Sequence, residues 1–199
     1  PDQRHARYSD AHELKAVCDR HGAELNIEGN PTREFLDVVL AVKPAQCTLV
    51  PDDPNQVTSD HGWDLDKNAA FLREVCAELK AAGIRVSLFV DYDCPNIALA
   101  KELGADRVEL YTEPYAETYG TPQNDAILAQ FGQAAMAAQA AGLGVNAGHD
   151  LNLDNLAKFI ALPNILEVSI GHALIVECLE QGMDATMRGY MSILGENVT

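Results

Sequence analysis

Short runs of β-branched and aliphatic residues alternate along the chain with longer stretches whose apolar positions recur every three or four residues. The runs cover residues 24–27, 46–50, 85–90, 107–111, 144–147 and 166–170 and are rich in Val, Ile, Leu and Phe. Runs of that length and content suit parallel strands covered on both faces. Between them, Leu72, Val75, Cys76 and Leu79 fall at i, i+3, i+4 and i+7, a single apolar stripe on a helix that faces a sheet. Asn30-Pro31 reads as a capping side chain before a proline at the first helical position, and Gly22, Gly83, Gly104 and Gly142 stand where helices must stop. A polar loop and a helix over 9–20, carrying Leu14 and Val17, open the chain with no strand before them, and a last helix is expected over 185–194.

Six strand-then-helix units in succession suit either a doubly wound sheet or a barrel. The polar residues favour the barrel. Glu28, Asp91, Tyr111 with Glu113, His149 with Asp150, and Gly171 with His172 fall at or just beyond the C-terminal ends of the runs, and Glu109 lies inside one. A barrel gathers such ends around one mouth, whereas an open sheet spreads them along a line. The expected fold is therefore α/β, a (β/α)8 TIM barrel formed as one domain over residues 1–199 and missing its N-terminal strands, two of which would precede Pro1.

Composition narrows the function. With 199 residues, 47% of them hydrophobic, the chain can bury one substantial core. No run approaches the roughly 18 uninterrupted apolar residues of a membrane span, and the polar first ten residues do not read as a signal peptide. Five scattered cysteines with no Cys-x-x-Cys pair fit free thiols in a reducing cytoplasm. A net charge of -16 argues against nucleic acid and anionic membranes as partners. Only 14 Lys and Arg are present, so a phosphate would rest on backbone N–H groups and helix N-termini as much as on cations.

Two glycine–histidine pairs stand out. Gly148-His149-Asp150 follows one run, and Gly171-His172 follows the next and opens a helix. In a barrel these are the loops after the last two strands, where backbone N–H groups commonly hold phosphate. The plain alternative is a turn cap at His149 and a satisfied structural histidine at His172. Glu28 would project near the barrel mouth, where partial burial lifts a carboxyl pKa towards neutrality and allows proton exchange; a surface acid that opens a helix is the competing reading. Glu109, within Val108-Glu109-Leu110, is costly to bury unless something pairs with it. The long connection over 50–63 suits a lid or clamp. Its Asp52, Asp53, Asp60 and His61 are metal-type ligands, but two prolines and irregular spacing give no ligand geometry, so no metal is expected. Dinucleotide, Walker, serine-hydrolase and zincin signatures do not occur, which leaves acid–base chemistry on phosphorylated carbonyl compounds.

At these residues the chain closely resembles the pyridoxine 5'-phosphate synthase family, whose members close the pyridine ring in the deoxyxylulose-dependent route to vitamin B6. The match runs from Pro1-Asp2-Gln3-Arg4-His5 through Asn26-Ile27-Glu28, Lys43-Pro44, Leu49-Val50-Pro51, Val57-Thr58, Val86-Ser87-Leu88-Phe89, Val108-Glu109-Leu110-Tyr111-Thr112, Asn146-Ala147-Gly148-His149-Asp150-Leu151-Asn152 and Ser169-Ile170-Gly171-His172-Ala173. The resemblance implies condensation of 3-amino-2-oxopropyl phosphate with 1-deoxy-D-xylulose 5-phosphate, with no cofactor. It implies that Glu28 is an acid–base glutamate, His149 a second catalytic histidine and Glu109 a stabiliser of the transition state. Thr58 and His5 would contact the deoxyxylulose phosphate, Asp150 would sit beside the aminoketone phosphate, and Gly171 with His172 would hold phosphate. A homo-octamer is implied in the same way. The family's first strand and first general-base histidine have no counterpart from Pro1 onward, so these 199 residues alone are expected to be inactive. A sugar-phosphate aldolase or isomerase on the same barrel is a rival enzyme reading; it would usually want a Schiff-base lysine or a metal, and the lysines fall on helices or helix ends. A silent barrel that senses phosphorylated metabolites is the rival from another class.

Overall fold

The computed structural model of the chain describes residues 3, 6–52, 56 and 58–195. Helix α1 (Asp10–His21) leads into β1 (Asn26–Gly29), α2 (Arg33–Val42), β2 (Gln46–Leu49), α3 (Ala69–Ala81), β3 (Arg85–Val90), α4 (Leu99–Glu102) and β4 (Arg107–Tyr111). There follow α5 (Glu113–Thr118), α6 (Asn124–Ala140), β5 (Gly144–Gly148), α7 (Leu156–Phe159), β6 (Ile165–Ser169), α8 (His172–Gln181) and α9 (Met183–Ile193). Each strand pairs in parallel with the next, in the order β1-β2-β3-β4-β5-β6.

That sheet curls. β2 and β6 are four strand spacings apart in the order, which in a flat sheet would separate them by roughly 19 Å at about 4.8 Å per spacing. Yet Gln46 Nε2 on β2 donates to Glu167 Oε1 on β6 at 2.9 Å. Thr48 on β2 likewise reaches Glu109 on β4. The sheet is thus a half-barrel whose polar side chains meet across its concave face.

The two faces differ in chemistry. Outside, helices cover the sheet with the main apolar core, to which the expected stripe of α3 contributes Leu72, Val75, Cys76 and Leu79, all buried. An aromatic group under α5, α6 and α7 completes it, with Tyr115 and Phe159 ring centres 5.1 Å apart and Phe131 and Phe159 5.5 Å apart. Inside, the apolar side chains reduce to Val50, Phe89 and Tyr111, while Gln46, Thr48, Ser87, Glu109 and Asn146 are buried polar residues on strands. Most barrel interiors are filled by branched apolar layers; this one keeps room and polarity for a site. The glycines expected to stop helices at Gly22, Gly83, Gly104 and Gly142 all have left-handed φ, and the five cysteines are free.

Two local expectations need correction. β1 lies two residues later than the 24–27 run, because its register sets Asn26 against Gln46 and Glu28 against Thr48; Glu28 is therefore within the strand instead of just past it. The cap of α2 is Thr32, whose hydroxyl accepts from Phe35 N at 3.3 Å. Asn30 instead donates through Nδ2 to the Asp52 carbonyl at 2.5 Å, tying the end of β1 to the loop after β2. Thr32→Ala is expected to lower unfolding free energy by about 1 kcal/mol, measured as a shifted urea midpoint at unchanged slope.

Candidate functional site

A cavity of about 840 Å³ opens at the C-terminal ends of the strands. Glu28, Thr58, Glu109, His149, Asp150, Gly171 and His172 all line it, so the fold brings together seven of the eight residues singled out from sequence; His5 lies outside the described residues. Among the described residues, no three His, Cys, Asp or Glu side chains are grouped to hold a metal ion.

The floor is a pair of carboxyls. Glu109 is 1% exposed on β4, and no cation among the described residues shifts its titration. Burial pushes its pKa well above the ordinary carboxyl value, and Glu28 and Glu167 push it further, against hydrogen bonds from Ser169 and Thr48 that favour the ionised form. Burial of the ionised form is costly, which is the main cause of that upward shift. Room for this carboxyl comes from Gly148 on β5: a Cβ there would lie 2.2 Å from Glu109 Oε1. Arg107, two residues earlier on β4, is engaged elsewhere, with Asn146 Oδ1 and Glu167 Oε2, both at 3.0 Å. Glu28 keeps accessible area because it lines the hollow, but protein surrounds it closely enough that burial is the main cause lifting its pKa to about 7, followed by repulsion from Asp52 and Glu167.

Above the pair stands His149. Its Nε2 lies 3.0 Å from Thr58 Oγ1, and its ring meets that of Tyr111 edge-on with centres 5.0 Å apart. Asp150 Oδ2 is 3.3 Å from Nδ1. His149 and Asp150 both have left-handed φ, 93° and 59°, a conformation that costs on the order of 1–3 kcal/mol per non-glycine residue and gathers at functional sites.

The loop carrying Thr58 is anchored at both ends. Ser59 Oγ donates to Asp52 Oδ2 at 2.9 Å. At the far end Trp63 N donates to Phe89 O and Trp63 Nε1 to Leu49 O, both at 2.9 Å. Gly62 packs directly on β3, where a Cβ would come within 2.4 Å of the Val90 and Asp91 backbone. Across the cavity, Gly171 precedes the ten-residue α8, and 171–174 face the hollow. The N-terminal end of that helix offers partial positive charge where the chain's net charge of -16 offers little.

Sequence reasoning did not single out Thr48, Ser169 or Gly148 as the surroundings of Glu109, nor Asp52 as the neighbour that repels Glu28. The signal was present for the first two: Thr48 pairs with Glu28 across the sheet, and Ser169 with Gly148, which sets them on the same concave face as the carboxyls.

Moving protons to and from a molecule gripped at the rim is the work this array suits, and a curled parallel sheet with its chemistry at the strand C-termini marks it as a barrel-type acid–base enzyme. Residues 1–196 match the family described as Pyridoxal phosphate biosynthesis protein PdxJ, and the chain belongs to that family. A pyridoxine 5'-phosphate synthase of Xanthomonas oryzae pv. oryzae is 52% identical over 202 residues, covering 98% of this chain and 79% of the relative. One of Agrobacterium fabrum is 50% identical over 98% of this chain and 80% of its own length. Among solved structures, a tryptophan synthase α-subunit from Pyrococcus furiosus superposes with a TM-score of 0.65 at 15% identity, over 95% of this chain and 74% of that one. A thiamine phosphate pyrophosphorylase from Pyrococcus furiosus gives 0.62 at 14% identity, over 96% and 79%. These structural likenesses bear on the fold alone.

The pH profile of kcat/KM should carry a limb near pH 7, the value to which Glu28 is raised. Glu28→Gln should remove that limb and lower kcat by about 10²–10⁴-fold. Glu28 holds its proton more tightly folded than unfolded, so folding stability falls as pH rises from 4.5 towards about 7. Urea titrations across that window should show a shallower fall in the variant.

Proposed function

We propose that this chain is the ring-closing synthase of the vitamin B6 route, joining 3-amino-2-oxopropyl phosphate to 1-deoxy-D-xylulose 5-phosphate to give pyridoxine 5'-phosphate, inorganic phosphate and water. The observation that carries the reading is the coupled Glu28–Glu109 pair on the floor of a cavity whose rim holds a helix N-terminus. Imine formation, loss of phosphate and closure with loss of water each need a proton moved at one bound intermediate, and a carboxyl poised near pH 7 exchanges protons in both directions. Holding both substrates in one hollow also makes the condensation effectively intramolecular.

In this reading Glu28 takes and returns protons near the reacting carbons, and His149 serves as a second acid–base group aligned by Thr58. Glu109, kept neutral, donates a hydrogen bond to negative charge that develops in the transition state. Thr58 and His5 contact the deoxyxylulose phosphate. Gly171 and His172, at the start of α8, hold a phosphate, and Asp150 lies beside the aminoketone phosphate. No metal or cofactor takes part.

The same proposal completes the fold. Strands β1 and β6 are the two edges of the curled sheet, and the elements next to them carry exposed apolar side chains, Leu14 and Val17 on α1, Leu166 on β6, and Ile175 and Val176 on α8. Two further strands, N-terminal to Pro1, would close a single (β/α)8 domain. The chain covers 79% of the length of the Xanthomonas oryzae relative, which suits that reading. No helix among the described residues is long and apolar enough to cross a membrane. A cytoplasmic homo-octamer acting on phosphorylated small molecules is the setting the family suggests.

Full-length protein given both substrates should form pyridoxine 5'-phosphate, followed by chromatography, and His149→Ala should lower kcat by about 10²–10⁴-fold. Tight binding of both substrates with no product would contradict the proposal and favour a metabolite-sensing barrel.

A further inference from the structure

We propose that Thr112 and Asn155 are positioning residues, which clamp the left-handed His149–Asp150 turn and so hold the His149 imidazole over the cavity. The inference rests on the reading of His149 as a catalytic group.

Consecutive non-glycine residues with φ of 93° and 59° persist only where their surroundings over-determine them. Here a different element captures the carbonyl of each. Thr112, just past β4, donates its hydroxyl to the His149 carbonyl and its N–H to the Gly148 carbonyl, the latter at 2.9 Å. Asn155, just before α7, donates Nδ2 to the Asp150 carbonyl at 3.0 Å while its Oδ1 accepts from Asn152 N at 2.9 Å. The Tyr115 hydroxyl donates to the Asn155 carbonyl at 2.7 Å and fixes that residue to the aromatic core. Thr112 and Asn155 are 0% and 1% exposed, and neither lines the cavity. They can influence a bound molecule only through the turn they hold. Without the clamp the turn relaxes towards ordinary φ, and the ring leaves its place beside Thr58 and Tyr111.

Thr112→Val keeps the side-chain volume and removes the donor; Thr112→Ser restores it. In the full-length enzyme Thr112→Val should lower kcat about tenfold or more with KM within about threefold, and Thr112→Ser should return kcat to within about threefold of the parent. In a His149→Ala background the same Val substitution should change the residual kcat by less than about twofold, because two groups that act as one unit are not additive. Nuclear magnetic resonance of the His149 ring nitrogens gives a readout independent of turnover. Thr112→Val should replace the parent's single imidazole environment with averaged signals.

Equal fold-losses in both backgrounds, or an imidazole spectrum unchanged by Thr112→Val, would overturn the clamp. Parent-like turnover by Thr112→Val beside a crippled His149→Ala would remove the clamp alone. Parent-like turnover by His149→Ala would remove the catalytic reading of His149 and the clamp with it.

Discussion

The site depends on a carboxyl buried in the wall of a half-barrel, with hydroxyls around it and, among the described residues, no cation paired with it. Glu109 sits inside β4, faces the concave side, and has its pKa pushed well above the ordinary carboxyl range by burial and by two neighbouring glutamates. Much of the interior follows from that one constraint. Gly148 must lack a Cβ, Thr48 and Ser169 must supply hydroxyls, and Arg107 must be engaged by Glu167 and Asn146 so that it does not neutralise the pair. Glu28, on β1, then titrates near neutrality where it can exchange protons.

The rim has a complementary design. A strongly acidic chain that must hold anionic esters has few cations to spend, and the start of α8 supplies N–H groups where side-chain charge is scarce. The opposite wall is a loop fastened by Trp63 and Gly62 to β2 and β3, which brings Thr58 to His149. Rigid strands set the proton-transfer groups, and loops tied to those strands set the grip.

Much of this was legible in the chain because strand ends carry their chemistry in sequence-local form. The stripe Leu72, Val75, Cys76, Leu79 predicted its helix, and the polar residues at the ends of the apolar runs predicted one shared mouth; Glu28, His149, Asp150, Gly171 and His172 do line the cavity, whereas Asp91, Tyr111 and Glu113 do not. What stayed hidden depends on contacts between distant strands. That Glu109 is answered by hydroxyls rather than by a cation follows from the curl that sets β2, β4 and β6 face to face, and no spacing along one strand encodes that curl. The Asn30-Pro31 reading failed for a local reason, since a threonine after the proline was the better cap and Asn30 had a partner across the sheet. The left-handed pair at His149 and Asp150 was equally invisible, because Asp and His enter that region more often than most residues but two in succession depend here on a threonine and an asparagine from other elements.

The protonation state of Glu109 at neutral pH is the most direct test of this account. Infrared difference spectra between the parent and Glu109→Gln at pH 7 should contain the carbonyl stretch of a protonated carboxyl in a water-poor setting, lost in the variant. A difference spectrum that contains only the symmetric and antisymmetric bands of an ionised carboxylate would contradict it.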